Sequence, residues 1–306
     1  MQHEILSYRG WENCVRLSNG LVELVALTQV GPRLLRFAFL QGENVFGEFP
    51  DQLGLTGGDS WRIYGGHRLW HAPEVLERTY YADNEPVRYE LFPDFLRLTQ
   101  PVESTTGIEK VMEIHLPEGR AEVQVTHRLR NRGLWAVELA PWALSVMAPG
   151  GVAILPMPPR GSHDENLLPA NTLTLWAYTD LSDPRFTLSG RYILLRQDSS
   201  LPGPQKIGGQ IQAGWTAYAR GGELFLKRFT YHPGRRYPDL GCSVELFTDS
   251  RMSEVETLGP LTRLEPGEAV EHVETWHLLR GIPLPAGERD VLEQVLPAIQ
   301  PLIEQP

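Results

Sequence analysis

Cysteine is scarce in this sequence. Cys14 and Cys242 are the only two in 306 residues, too few for a disulfide framework, and no N-x-S/T acceptor occurs. Both absences fit a reducing compartment, so a cytoplasmic location is expected. Runs of lysine or arginine are missing too, and the net charge is −10, so nothing supplies the cationic patch that neutralises nucleic-acid phosphates. Nucleic acid is therefore not an expected partner. No apolar stretch approaches the ~18–20 residues of a membrane span, and the opening "MQHEILSYRGWEN" lacks the charged-then-apolar layout of a signal peptide. No membrane partner is expected either.

Several catalytic signatures are also missing: GxxxxGK[ST] for phosphates, GxGxxG for dinucleotides, HExxH or CxxC for zinc, and the GxSxG nucleophile elbow. Their absence weakens cofactor-dependent and serine-hydrolase readings, and no cofactor is implied. Hydrophobic residues at 42% and charged residues at 22% match ordinary globular chains, which argues against disorder and fibres.

What the chain does have is period-two alternation. "LVELVALT" (21–28), "RLLRFAFL" (33–40), "AEVQVTHRLR" (121–130), "ELFLKRF" (223–229) and "CSVELFT" (242–248) read as strands, separated by turn clusters such as "SNG", "NRG" and "EPGE". The pattern predicts an all-β chain of many antiparallel strands, organised as a single domain over residues 1–306. One terminal helix is expected at about 287–303, interrupted by Pro297 and Pro301 and covering a sheet edge or an open core end. The Pro-, Gly- and Ser-rich stretch 148–210 reads as long loops between strand-like segments.

Histidines, carboxylates, cations and tryptophans near strand ends suit sugars, because aromatic faces stack on pyranose C–H surfaces and fixed polar groups bond hydroxyls. In "YGGHRLWHAPE" (64–74), two glycines permit close backbone approach beside His67, and Arg68 offers a fork for vicinal hydroxyls or a carboxylate. Trp70 is either a core plug or a stacking platform. His71 and Glu74 are loop candidates, with Pro73 fixing the direction of Glu74. Glu254 and Glu256 stand two apart on a strand and so share a face, where mutual repulsion would raise one pKa. His127 lies on the alternating face of Val123, Val125 and Leu129, which suits a core histidine or a sheet-lined site. Lys227 and Arg228 point to opposite faces, and Asp239 could pair with either. His163, Asp164 and Glu165 are consecutive, and consecutive residues rarely all face one ion, so no metal site is assigned.

The run "VETLGPLTRLEPGEAVEHVETWHL" (255–278), with "GPRLLRF" and "YGGHRLW" before it, resembles the aldose 1-epimerases, or galactose mutarotases. More closely, "GGHRLWHAPE", "PWALSVMAPGG", "NLLPANTLTLWAYTD" and "FLKRFTYHPGRRYPDLGCSVE" resemble a bacterial branch of that superfamily of unknown function. The resemblance covers most of residues 10–280 and implies a β-supersandwich that takes a small carbohydrate as partner. It also implies that Glu256, in "EVET", is the base on the anomeric hydroxyl. The first mutarotase histidine falls where this chain has Tyr64, with His67 three residues on, so His67 or His127 would protonate the ring oxygen. The second falls near Trp142, Ser145 and Met147, where no histidine occurs. Arg33 resembles a cleft arginine of these proteins. The implied substrate-binding set is Arg33, Arg68, Trp70, Glu74, Trp142, Lys227, Asp239 and Glu254. The implied function is sugar binding with aldose 1-epimerase chemistry; a non-catalytic sugar module and a carboxylate-dependent hydrolase or lyase are the alternatives.

Overall fold

Alternation places one side of each strand indoors, and in the computed structural model, which describes residues 1–304, the strands pair antiparallel into two large sheets. The strands expected from alternation lie at Val22–Leu27, Arg33–Phe39, Glu122–Asn131, Glu223–Phe229 and Val244–Thr248. In the first sheet the central order is Arg33–Phe39, His67–Ala72, Val137–Met147, Ser253–Leu258, Val244–Thr248, Gln205–Gly209 and, at the edge, Leu173–Leu175. The second sheet is centred on Trp215–Arg220, Glu223–Phe229, Ala269–Arg280 and Glu122–Asn131. Every strand pairing is antiparallel, as a chain of hairpins and short crossovers dictates. This is an all-β sandwich.

The core lies between the sheets. Phe37 and Phe46 from the first sheet's side meet Phe225 and Trp276 from the second at centroid separations of 5.7–6.2 Å, mostly edge to face. Segment 148–210 is less loop-like than its composition suggests: Val152–Pro156, Leu173–Leu175, Phe186–Leu188, Tyr192–Arg196 and Gln205–Gly209 are strands. Prolines and glycines fill the turns between them, and strands this short show too little alternation to be read.

Helical residues run from Glu288 to Ile303, with a wide π turn at Val291–Val295 just before Pro297. Val291, Val295 and Ile299 pack on Ile154, Trp215 and Leu226. The helix therefore covers the outer face of the second sheet rather than an edge or a core end. The part of that face under the helix is apolar and would otherwise be exposed.

Entry into the 67–72 strand is set by glycine. Tyr64, Gly65 and Gly66 all have left-handed φ (53°, 107° and 69°). A Cβ on Gly65 would lie 2.1 Å from the Gly47 carbonyl oxygen, and one on Gly66 2.3 Å from that of Leu34. Only glycine fits where these backbones touch.

Candidate functional site: two polar clusters on opposite faces of one sheet

Strand register decides which side chains meet. Leu144 pairs with both Arg68 and Glu256, Trp142 with Trp70 and Leu258, and Val146 with Glu254. With side chains alternating, Arg68, Trp70, Trp142, Glu254 and Glu256 share the outer face of the first sheet. His67 pairs with Ser145, and Ser145 with Val255, so these face the second sheet.

The outer face carries a cleft of ≈ 370 Å³. Arg68 Nη1 donates to Glu254 Oε1 at 2.8 Å. Its guanidinium lies 4.3 Å from the Trp70 ring centroid and 5.5 Å from that of Trp61. Trp61, Trp70 and Tyr80 pack on one another at 4.9–5.2 Å, and the Tyr80 hydroxyl donates to Glu74 at 2.5 Å. Deeper in, Trp142 Nε1 donates to Glu256 Oε2 at 2.8 Å. Lys206 Nζ reaches the same oxygen at 3.0 Å and Glu245 at 2.7 Å, below the rings of Trp142 and Trp176.

Burial raises the Glu254 carboxyl above its ordinary pKa; Arg68 opposes the shift and the Glu256 charge adds to it. Burial raises Glu245 far more, with Lys206 opposing and Glu256 adding. Burial also works against the Lys206 ammonium, but Glu245 and Glu256 hold its pKa well above the usual lysine value. The cleft thus has an aromatic wall, a carboxyl suited to proton transfer, and a fixed cation.

On the inner face, His67 Nε2 lies 2.7 Å from His127 Nε2, and His67 Nδ1 lies 2.9 Å from Ser145 Oγ. His127 Nδ1 donates to the His272 carbonyl at 3.0 Å, since a carbonyl only accepts. His127 Nε2 then accepts from His67 Nε2–H, and His67 Nδ1 accepts the Ser145 hydroxyl. Lys227 Nζ pairs with Glu274 Oε1 at 3.0 Å, Trp276 Nε1 donates to Oε2 at 2.8 Å, and the Thr257 hydroxyl donates to Oε1 while accepting His272 Nε2–H. Burial lowers the pKa of all three histidines, which keeps them neutral.

His67, His127 and Glu274 bring three ligand atoms within 4.8 Å of one another and could hold a metal. Charge balance favours a proton there. A divalent ion beside the Lys227 ammonium and a single carboxylate would leave two buried charges uncompensated, whereas the hydrogen-bonded chain leaves none.

The expectation that His67 or His127 works opposite Glu256 therefore fails on geometry. The histidines and Glu256 lie on opposite faces of the sheet, because 67 and 68 differ by one residue and a strand turns successive side chains through half a turn. Lys227 is likewise inside, paired with Glu274, and not in the cleft. Arg33 is also no cleft residue: it is fully buried, pairs with both Asp83 oxygens at 3.0 Å, and donates to the Arg62 and Ile63 carbonyls. It thereby anchors the loop that carries Trp61. His71 contacts Glu103 in the interior, and His163 and Asp164 form an exposed pair on a loop.

Arg68, Trp70, Glu74, Trp142 and Glu254 do line one cleft. Glu256 sits beneath it, fully enclosed by Trp142 and Lys206. Asp239, expected among the substrate-binding residues, does not line the cleft; its backbone carbonyl accepts from Thr174 Oγ1 at 3.0 Å and from Cys242 Sγ at 3.1 Å. Sequence reasoning missed Trp61, Tyr80, Lys206 and Glu245. Lys206 and Glu245 lie on strands, but "PQKIGG" reads as a turn and Glu245 as one polar residue on an alternating strand. Trp61 and Tyr80 come from irregular segments without periodicity.

No protein-family model matches the chain, and no curated protein does. Among solved structures, a TPR-domain containing protein from Parabacteroides distasonis has TM-score 0.57 at 14% identity, covering 89% of this chain and 48% of that one. The chain thus spans about half the length of that protein. A galactose mutarotase-like protein from Lactobacillus casei has TM-score 0.55 at 11% identity, covering 87% of this chain and 100% of that one. The GH36 alpha-galactosidase AgaB from Geobacillus stearothermophilus has TM-score 0.50 at 12% identity, covering 92% of this chain and 42% of that one. At such identities the likeness is one of fold, and the fold of this chain is the galactose mutarotase-like β-supersandwich.

Proposed function

We propose that this chain binds a mono- or oligosaccharide in the outer-face cleft and acts at its anomeric centre by general acid/base catalysis. One observation carries the reading. Trp61 Nε1, Arg68 Nε and Trp70 Nε1 are buried polar atoms of residues that line the cleft and have no hydrogen-bond partner, whereas every polar side-chain atom of the His67–His127–Glu274–Lys227 cluster has one. Groups left incomplete at a real cost mark the place where a ligand completes the structure. The cavity volume falls within the ~300–1,000 Å³ of small-ligand sites. Solved structures of this fold include proteins described as galactose mutarotase-like and an alpha-galactosidase, which supports a sugar as the ligand.

Glu254, not Glu256, takes the proton of the anomeric hydroxyl in this reading, because Glu254 lines the cavity and Glu256 is sealed below it. Saturation-transfer NMR with glucose, galactose and uronic acids tests binding, and polarimetry on freshly dissolved single anomers tests catalysis. Accelerated anomerisation of any one sugar supports the enzyme; no acceleration of any sugar removes it.

A second reading, a non-catalytic sugar sensor, is favoured by the absence of histidine among the described residues that line the cleft. It predicts saturation transfer without any rate over buffer.

A further inference from the structure

We propose that the sugar taken by this cleft is a hexuronate, and that its C5 carboxylate is held by the free edge of the Arg68 guanidinium. The proposal rests on the sugar-binding reading above and names the substrate class which that reading leaves open.

The unused polar atoms of the cleft are all of one kind. Among the described residues that line the cavity, the buried side-chain atoms without a partner are Trp61 Nε1, Arg68 Nε and Trp70 Nε1. All three are N–H donors. A sugar hydroxyl donates as well as accepts, whereas a carboxylate only accepts. The three donors belong to one cluster, with the Arg68 guanidinium 4.3 Å from the Trp70 ring centroid and 5.5 Å from that of Trp61. Glu74 and Glu254 line the same cavity and remain to accept from the hydroxyls.

Arg68 itself is half used. Its Nη1 donates to Glu254 Oε1 at 2.8 Å, which leaves Nε and Nη2, the side edge of the guanidinium, without an acceptor. Such an edge is a planar fork whose two N–H groups match the two oxygens of one carboxylate. Nε is enclosed, so Nη2 is the atom that a ligand reaches first.

Charge points the same way. Arg68 faces Glu254, Arg251 faces Asp249, and Lys206 faces Glu245 and Glu256. Arg62 also lines the cavity, but it donates to the Gly57 carbonyl and the Tyr64 hydroxyl, and no carboxylate among the described residues pairs with it. The Arg33–Asp83 pair fixes this segment, with Arg33 donating to the Arg62 and Ile63 carbonyls. One ligand carboxylate offsets that one free cation. A phosphate ester carries more than a single negative charge and would set the excess among Glu74, Asp249 and Glu254.

The covalent structure of a pyranose lets one guanidinium serve both ends of the reacting centre. C1 and C5 are bonded to the same ring oxygen, so the anomeric hydroxyl and the C5 carboxylate flank it. With Glu254 on Nη1 and the carboxylate on the Nε–Nη2 edge, Arg68 holds base and substrate side by side.

The test is titration with D-glucuronate and D-galacturonate, their methyl esters, D-glucose, D-galactose and D-glucose 6-phosphate, read by saturation-transfer NMR. The better hexuronate should bind about 10–100-fold more tightly than its parent hexose and than its own ester, which keeps the shape and removes the charge. Arg68→Lys keeps the charge but loses the fork, and should weaken that hexuronate about 10-fold while changing the parent hexose by less than about 3-fold. Arg62→Gln, which leaves every strand untouched, should also narrow the preference. A hexose or ester that binds as tightly as the hexuronate, or a preference unaltered in both variants, overturns the sugar-acid assignment and leaves the sugar-binding reading standing. Tighter binding of glucose 6-phosphate than of either hexuronate overturns it too. Saturation transfer from none of these sugars removes the sugar-binding reading and this assignment with it.

Discussion

The two faces of the central sheet carry polar clusters built from neighbouring residues of the same strands, yet they differ in completeness. The inner one is closed: Ser145, His67, His127 and the His272 carbonyl form one hydrogen-bonded chain, and Lys227, Thr257 and Trp276 saturate Glu274. The outer one is open, with unpartnered atoms on Trp61, Arg68 and Trp70 around a cavity. Buried titratable residues are thus not in themselves a functional signal, since a saturated network serves the scaffold and an unsaturated one next to a cavity serves a ligand.

Four changes sharpen this contrast. The largest effect is expected from Lys227→Met, which strands the Glu274 charge between the sheets and should cost about 3–5 kcal/mol of stability in urea unfolding. A midpoint shift equivalent to less than about 1 kcal/mol would mean that the inner cluster is not the scaffold. Next is Glu254→Gln, which keeps a hydrogen-bond acceptor for Arg68. It should lower the anomerisation rate about 10²–10⁴-fold while leaving the urea midpoint near that of the wild type. Equal losses of stability and activity would erase the distinction between the faces.

The third is pH. Burial lowers His272 to about 3 and His277 to about 4, so between those values and the ordinary 6.5 the unfolded chain binds more protons than the folded one. Stability therefore falls as pH drops below about 6.5. Glu103 contributes with the same sign lower down: burial opposes its charge, but Lys110 and His71 hold it at about 2, so its contribution is lost as pH falls from the ordinary carboxylate range toward 2. Urea midpoints measured from pH 8 to pH 4 should decline throughout that window, and a flat profile would show that the histidines are not buried neutral. The smallest effect is Trp61→Ala, which removes one aromatic wall from a loop. It should weaken sugar binding by about 0.5–1.5 kcal/mol, read as the dissociation constant in a titration, with little change in thermal midpoint.

Alternation revealed the strands, their antiparallel character and the shared face of Glu254 and Glu256, because period two is a local property of the backbone. It also placed His127 on an inward face. It offered no guide to which face of the 67–72 strand would meet Glu256, and the choice of His67 over Arg68 turned on that one-residue distinction. The resemblance of 255–278 and 64–70 to the mutarotases identified the fold and the strand pair that builds the cleft, while Lys206 and Glu245 enter it only through cross-strand register.

By itself, then, the sequence determined an all-β chain, the terminal helix and the segments that hold the candidate residues, because hydrophobic periodicity and turn chemistry act over a few residues. The tertiary structure alone decided that Arg68, Glu254 and Lys206 gather around the cleft while His67, His127 and Lys227 close the interior. That division depends on which strands pair, in what register and with which face turned to the second sheet, and these are set by contacts between residues far apart in the chain, as in Arg68 with Glu254, 186 positions apart.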